Sequence, residues 1–190
     1  MNVMKRRLFI AISLPEKIPQ EIDKEISMLQ HRFSGVARFM PRENWHMTLI
    51  FFGDQEEYAI PKIHDAMDSA FLGFAHDSLL LGDITYGPQH HAPRMIWLNA
   101  TKPTSLYLDT MKGRLKRELN ARGVHWDDDG RAFHGHITLA RFNEQSKETE
   151  LPLLIHGGSV CKEFTVDLFS STLTPRGSQY TLLYSIARKA

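Results

Sequence analysis

Apolar positions change their period along this chain, and each change marks an element. Residues 8–14 form a short, β-branched apolar run closed by Pro15, which predicts a first strand. Ile18, Ile22, Ile26 and Leu29 then recur at helical spacing among charged residues, predicting one amphipathic helix over 16–32. Pro41 opens a turn, and the greasy stretch "NWHMTLIFFG" that follows reads as a strand. Ile63, Met67 and Ala70 share one face of a helix predicted over 60–71. Residues 79–84 predict a strand, "TYGPQHHAPR" a loop rich in turn formers, and "MIWLNA" (95–100) another strand. Thr101 to Ser105 supplies caps and a proline ahead of a helix over 106–122, which Gly123 ends. "WDDDG" is a loop and "FHGHITLARF" (133–142) a strand. The tail, "EFTVDLFSSTL" and "SQYTLLYSIAR" separated by "TPRG", predicts a hairpin.

Two of these strands repeat a pattern. In "HMTLIFF" strict alternation puts His46 and Thr48 on one face, their Cα atoms roughly 7 Å apart by the strand rise, and Met47, Leu49 and Phe51 on a buried face. His136-Ile-Thr-Leu139 repeats His46-Met-Thr-Leu49 in the second half of the chain. Each copy follows a strand and a helix, so two copies of one supersecondary unit are the economical reading. A lone His-x-Thr is ordinary strand composition. Two in matching contexts point to a shared site.

If the duplicated units pack about a pseudo-twofold axis, two imidazoles and two hydroxyls meet around one cleft. That set suits cleavage of a phosphodiester, where the attacking group loses a proton and the leaving oxygen gains one on opposite sides of phosphorus. Histidine holds either protonation state near pH 7. Threonine hydroxyls can donate to the non-bridging oxygens as charge gathers there. A strained cyclic phosphate needs no metal for this.

Composition adds bounds rather than a function. With 190 residues, the chain suits one domain or two small lobes sharing a core. Lys and Arg number 23 against 22 Asp and Glu, so a basic site must be local. The single cysteine, Cys161, excludes an intrachain disulfide and a multi-cysteine metal site and fits a reducing compartment. The start "MNVMKRRLFIAISLPEK" imitates a signal peptide, but its apolar run is short and ends without an Ala-x-Ala pattern. No stretch approaches the ~18–20 apolar residues of a membrane helix. "DDDG" at 127–130 lacks the alternating ligands and distant glutamate of a calcium loop and reads as a solvated turn. Lys5, Arg6 and Arg7 are the only tight basic cluster, a phosphate contact or a solvated strand start. Phe9, Trp45 and Trp97 read as strand core, with base stacking as the alternative.

With these residues in view, the chain resembles the 2H phosphoesterase superfamily, specifically the RNA 2',3'-cyclic phosphodiesterases first described as 2'-5' RNA ligases. The resemblance covers nearly the whole chain and rests on "RLFIAISLP", "NWHMTLIFFG", "PRMIWLNA", "FHGHITLARF" and "LFSSTLTPRGSQYTLL". It implies an α+β fold over residues 1–190, a single domain of two pseudo-symmetric lobes. Each lobe is an antiparallel sheet backed by helices, and the active-site groove lies between them. It implies hydrolysis of an RNA 2',3'-cyclic phosphate to a 2'-phosphate without metal or other cofactor, and reversible 2'-5' ligation of tRNA fragments.

By the same resemblance, His46 is the proton donor, His136 the proton acceptor, and Thr48, Thr138 and Arg141 bind the phosphate. Alternation sets Arg141 on the face opposite His136, so the strand must end, twist or bulge before it. Gly135 stands where related chains often carry proline; glycine permits the same extended backbone but fixes it less. His134, on the same side as His136, is placed at the groove rim. His90 and His91, in a loop with Arg94, are read as surface residues with the RNA backbone as alternative partner. The expected setting is a cytoplasmic monomer acting on RNA, with no membrane. The alternatives are a relative acting on a small cyclic nucleotide or 2'-5' oligoadenylate, and an RNA-end-binding module without turnover.

Overall fold

A computed structural model describes residues 4–88, 93–128, 130, 133–143, 158–175 and 177–189. His90, His91, Asp129 and His156 lie outside the described residues. The chain runs β1 (Lys5–Ser13), α1 (Lys17–Glu21), α2 (Asp23–Arg32), β2 (Ala37–Phe39), a 3-10 turn (Arg42–Asn44) and β3 (His46–Glu56). It continues through α3 (Ala59–Phe71), β4 (Leu79–Gly87), β5 (Met95–Ala100), α4 (Lys102–Ala121) and β6 (His136–Phe142). It closes with β7 (Ser159–Cys161), β8 (Phe164–Thr174) and β9 (Gly177–Arg188).

The strands form two antiparallel sheets, β3-β1-β8-β9 and β2-β6-β5-β4-β7, and with the helices they give an α+β fold. In the first sheet β1 lies beside β3, with helices between them in the chain; in the second β5 lies beside β6, with α4 between them. Each sheet thus holds a pair of neighbouring strands separated along the chain by helix, the second of the pair beginning with histidine. Beside β6, however, the second sheet gains β2, and among the described residues β3 has no such neighbour. β3 and β6, the two strands that begin with histidine, approach each other where the sheets meet.

Five consecutive residues of β1, Leu8 to Ile12, are buried, because this strand lies inside its sheet and is covered on both faces. The predicted helix over 16–32 is instead two pieces. Pro19 falls in the first turn of α1, where its missing N–H costs nothing, and the chain breaks at the buried Ile22 before α2 begins. The helix predicted over 106–122 begins earlier, at Lys102. Its proline occupies the first turn, and Gly123, with φ 66°, closes the other end with the N–H of Val124 on the carbonyl of Leu119. Leu108, Met111, Leu115 and Leu119 line its buried face, and it packs against α3, β3 and β4. β4 runs on to Gly87, so the first residues of the predicted loop are strand. Among the described residues, no helix is long and apolar enough to cross a membrane.

The alternation predicted for β3 is broken by a bulge. Ile50 pairs with Ile10 and Thr48 with Ala11, so Leu49 is an extra residue facing β1. Leu49 and Ile50 are both buried, and Phe51 turns to the opposite face, where it is 45% exposed. The expectation of a buried Phe51 is therefore corrected. β6 carries the same device: Ala140 pairs with Ile96 and Thr138 with Trp97, leaving Leu139 extra. Leu139 and Ala140 are both buried, and Arg141 is exposed.

Candidate active site

Each bulge moves the fifth residue after its histidine to the histidine's own face. Arg141 thereby joins His136 and Thr138, and Phe51 joins His46 and Thr48. All six line one cavity of about 220 Å³ between the sheets. The route that alternation denied Arg141 is thus a bulge at Leu139. Where one lobe presents a guanidinium, the other presents a phenyl ring. The cation on that side is Arg7 of β1, whose guanidinium lies 4.9 Å from the centre of the Phe51 ring and borders the same cavity. Its neighbour Arg6 pairs instead with Glu57. Of the basic cluster, then, Arg7 faces the site.

The two imidazoles are held alike. Nδ1 of His46 lies 2.7 Å from the carbonyl oxygen of Asn44, and Nδ1 of His136 lies 2.8 Å from that of His134. A carbonyl only accepts, so in each ring Nδ1 carries the proton and donates it, and Nε2 is left for the reacting groups. Phe9 and Tyr180 pack the His46 ring at 5.0 and 5.3 Å between centroids. Trp97 stacks on His136 at 3.9 Å. Phe9 and Trp97 are buried as expected for strand core, and what they pack is the candidate catalytic pair. Trp45 is buried too, with its indole N–H on the carbonyl of Met40.

Burial lowers the pKa of both imidazoles. For His46 the Asn44 carbonyl opposes this and the Arg141 charge adds to it. For His136 the His134 carbonyl opposes it, while His134, His46 and Arg141 all add to it. A reaction that needs one ring protonated and one neutral loses its acid as pH rises. With both rings shifted below 6.5, kcat/KM, which reports the free enzyme, is expected to peak below pH 6.5. Above the peak it should fall by up to about tenfold per unit. A bound phosphate anion favours the charged ring, so the alkaline limb of kcat should lie at higher pH than that of kcat/KM. Parallel profiles of both constants would show it; a kcat/KM still rising between pH 7 and 8 would contradict it.

His134 is not in the chamber. It is exposed and borders a neighbouring cavity with Trp126, Phe133 and Lys112. Its Nε2 lies 3.0 Å from Oδ1 of Asn99, whose amide group donates to the Asp83 carbonyl and the Thr85 hydroxyl. That network anchors the segment whose carbonyl holds His136. Gly135 also reads differently from the sequence expectation. A Cβ there would lie 2.9 Å from the Ala100 Cβ, and its N–H donates to the Ser105 hydroxyl, a bond proline could not make. Glycine at this position serves close packing. Gly87 does so more severely, since a Cβ would lie 2.2 Å from the Trp97 ring. Sequence reasoning missed Asn44, Ser171, Ser178 and Tyr180 in the cavity wall. Alternation pairs Ser178 with Tyr180, but nothing in the sequence says which face of β9 meets the site.

Among the described residues, no group of three or more His, Cys, Asp or Glu side chains could hold a metal ion. The chain matches no family model. It is 30% identical over 184 residues to a Thermotoga maritima protein named RNA 2',3'-cyclic phosphodiesterase, covering 94% of this chain and 93% of that one. A crystal structure of a Thermus thermophilus protein superposes with a TM-score of 0.75 at 25% identity, over 96% of this chain and 98% of that one. E. coli LigT complexed with 3'-AMP superposes at 0.72 and 22% identity, over 98% and 100%, and so speaks to the fold alone.

Proposed function

We infer the reaction from the premise that this chain belongs to the RNA 2',3'-cyclic phosphodiesterases, a family of 2H phosphoesterases. It is an enzyme, a hydrolase of RNA 2',3'-cyclic phosphate ends. The observation that carries the mechanism is the pair of imidazoles, each with Nδ1 engaged, bordering one small cavity with two hydroxyls and an arginine.

In the proposed step a water oxygen bonds to phosphorus and its proton passes to Nε2 of His136. The bond from phosphorus to the 3'-oxygen breaks, and that oxygen takes a proton from Nε2 of His46. The products are a 2'-phosphomonoester and a free 3'-hydroxyl. Thr48, Thr138 and Arg141 hold the non-bridging oxygens. His136 as acceptor is supported by its surroundings: burial and Arg141 favour the neutral form of both rings, the repulsion between the two rings acts on each alike, and for His136 the neighbouring His134 adds to it. If a 5'-hydroxyl replaces water, the same transfers make a 2'-5' linkage, and tRNA fragments are suitable partners for that reaction.

The proposed unit is one domain of two lobes, complete as a monomer because a single chain supplies both histidines. A cytoplasmic setting is supported by Cys161, which is buried, with its thiol pushed up to about 11 by burial. The test is an oligoribonucleotide ending in a 2',3'-cyclic phosphate, incubated with the enzyme in excess EDTA, with the product identified. A 2'-phosphate is expected. A 3'-phosphate, or activity abolished by EDTA, would overturn the mechanism, and binding without turnover would favour the end-binding module.

A further inference from the structure

Beyond the catalytic chamber, we propose that Arg38, paired across the sheet with the Arg141 that holds the reacting phosphate, forms a subsite for the backbone phosphate one nucleotide upstream of the cyclic end, so that the enzyme recognises a polynucleotide terminus rather than a mononucleotide. The proposal rests on the cyclic phosphodiesterase reading above.

Arg38 and Arg141 are direct partners across β2 and β6. Two like charges opposite each other in a sheet repel and weaken the pairing unless an anion bridges them. Among the described residues, neither guanidinium has an ion-pair partner, although Arg42 nearby is neutralised by Asp23. Both are exposed, on the side where the chamber opens into a second cavity of about 740 Å³. Arg141 borders both spaces and Arg38 only the outer one. Arg38 also reaches across the groove: its Nη1 lies 3.5 Å from where a Cβ on Gly177 would stand, at the start of β9.

Size and wall chemistry agree with this. The chamber of about 220 Å³ is below the ~300–1,000 Å³ of a typical small-molecule site, so most of an RNA end must lie outside it. Asn44, Ser178 and Tyr180 border both spaces, and Gln179 extends a polar wall outward; Glu43 is the one acidic side chain lining the outer cavity among the described residues. Two guanidiniums one strand apart suit a phosphate and the next step of its backbone. β2 is also where the two sheets stop matching, so among the described residues this end of the groove has no counterpart beside β3. At the opposite end lie Trp126, Phe133 and Lys112, a more aromatic surface suited to a base.

The experiment compares kcat/KM on a pentaribonucleotide and on a mononucleoside, both ending in a 2',3'-cyclic phosphate, for the wild type, Arg38→Gln, Arg38→Lys and Lys112→Gln. Arg38→Gln is expected to lower the pentamer-to-monomer ratio about tenfold, the scale of one charge-assisted contact, with Arg38→Lys recovering part of it. The salt dependence of log kcat/KM on the pentamer should become shallower by about 0.7. Replacing only the penultimate phosphate by a neutral methylphosphonate should abolish the difference between wild type and Arg38→Gln. An unchanged ratio for Arg38→Gln, or a ratio that falls with Lys112→Gln instead, would overturn the assignment. No turnover of either substrate by wild type would instead refute the cyclic phosphodiesterase reading.

Discussion

Alanine at His46 or at His136 is expected to lower turnover of a 2',3'-cyclic phosphate end by about 10²–10⁴-fold, the usual worth of one positioned proton transfer. The size of the loss follows from how each ring is held. With Nδ1 engaged by a backbone carbonyl two residues upstream, only Nε2 is free to exchange a proton at the cavity, and no other histidine among the described residues lines the chamber to replace it. His134, the nearest candidate for rescue, borders a different cavity and has its Nε2 directed at Asn99. Affinity for the cyclic end should change little, because the hydroxyls of Thr48 and Thr138 and the guanidinium of Arg141 remain. The double variant should be hardly slower than the slower single one, because two groups acting in one concerted exchange are not additive. Single-turnover rates with equilibrium binding measured in parallel separate these quantities. A His46→Ala enzyme within tenfold of wild type would remove it as the acid, and a matching loss of affinity would make the histidines binding groups.

The site was legible in the sequence to the extent that it depends on period and repetition. His46 with Thr48 and His136 with Thr138 share faces because two residues is the period of a strand, and the second copy made chance an inadequate explanation. Arg141 and Phe51 were not legible in the same way. Their direction depends on Leu139 and Leu49 being unpaired across to β5 and β1, and the register between two strands is a property of both. What the sequence did contain was the conflict: an arginine expected at the phosphate but placed by alternation on the wrong face.

Other gaps have similar causes. β2 and β7 are three residues each, too short for any period, so the strand carrying Arg38 left no signal. The break at Ile22 has no glycine or proline to announce it, since an apolar residue every fourth position reads the same in one helix or two. Gly135 and Gly87 are explained by the approach of the Ala100 and Trp97 side chains, neighbours that only the folded sheet supplies.

Valine at Thr48 or Thr138 is expected to lower kcat by about 10²–10³-fold, the cost of removing one donor aimed at developing charge. Valine keeps the branched shape and the strand preference of threonine, so it removes the hydroxyl and little else. Thr48 is exposed and Thr138 half-buried, both on the cavity wall, so melting temperatures should barely move. The split between constants carries the argument. If the hydroxyls bind the non-bridging oxygens mainly as charge grows on them, kcat and kcat/KM fall together and KM stays put. If they bind ground-state substrate equally well, KM rises while kcat holds. Serine, which restores the hydroxyl without the methyl group, should recover most of the loss at either position. Valine variants within threefold of wild-type kcat would mean that the phosphate oxygens are held by Arg141 and by Arg7 across the cavity, and that the second half of each His-x-Thr motif serves the strand rather than the reaction.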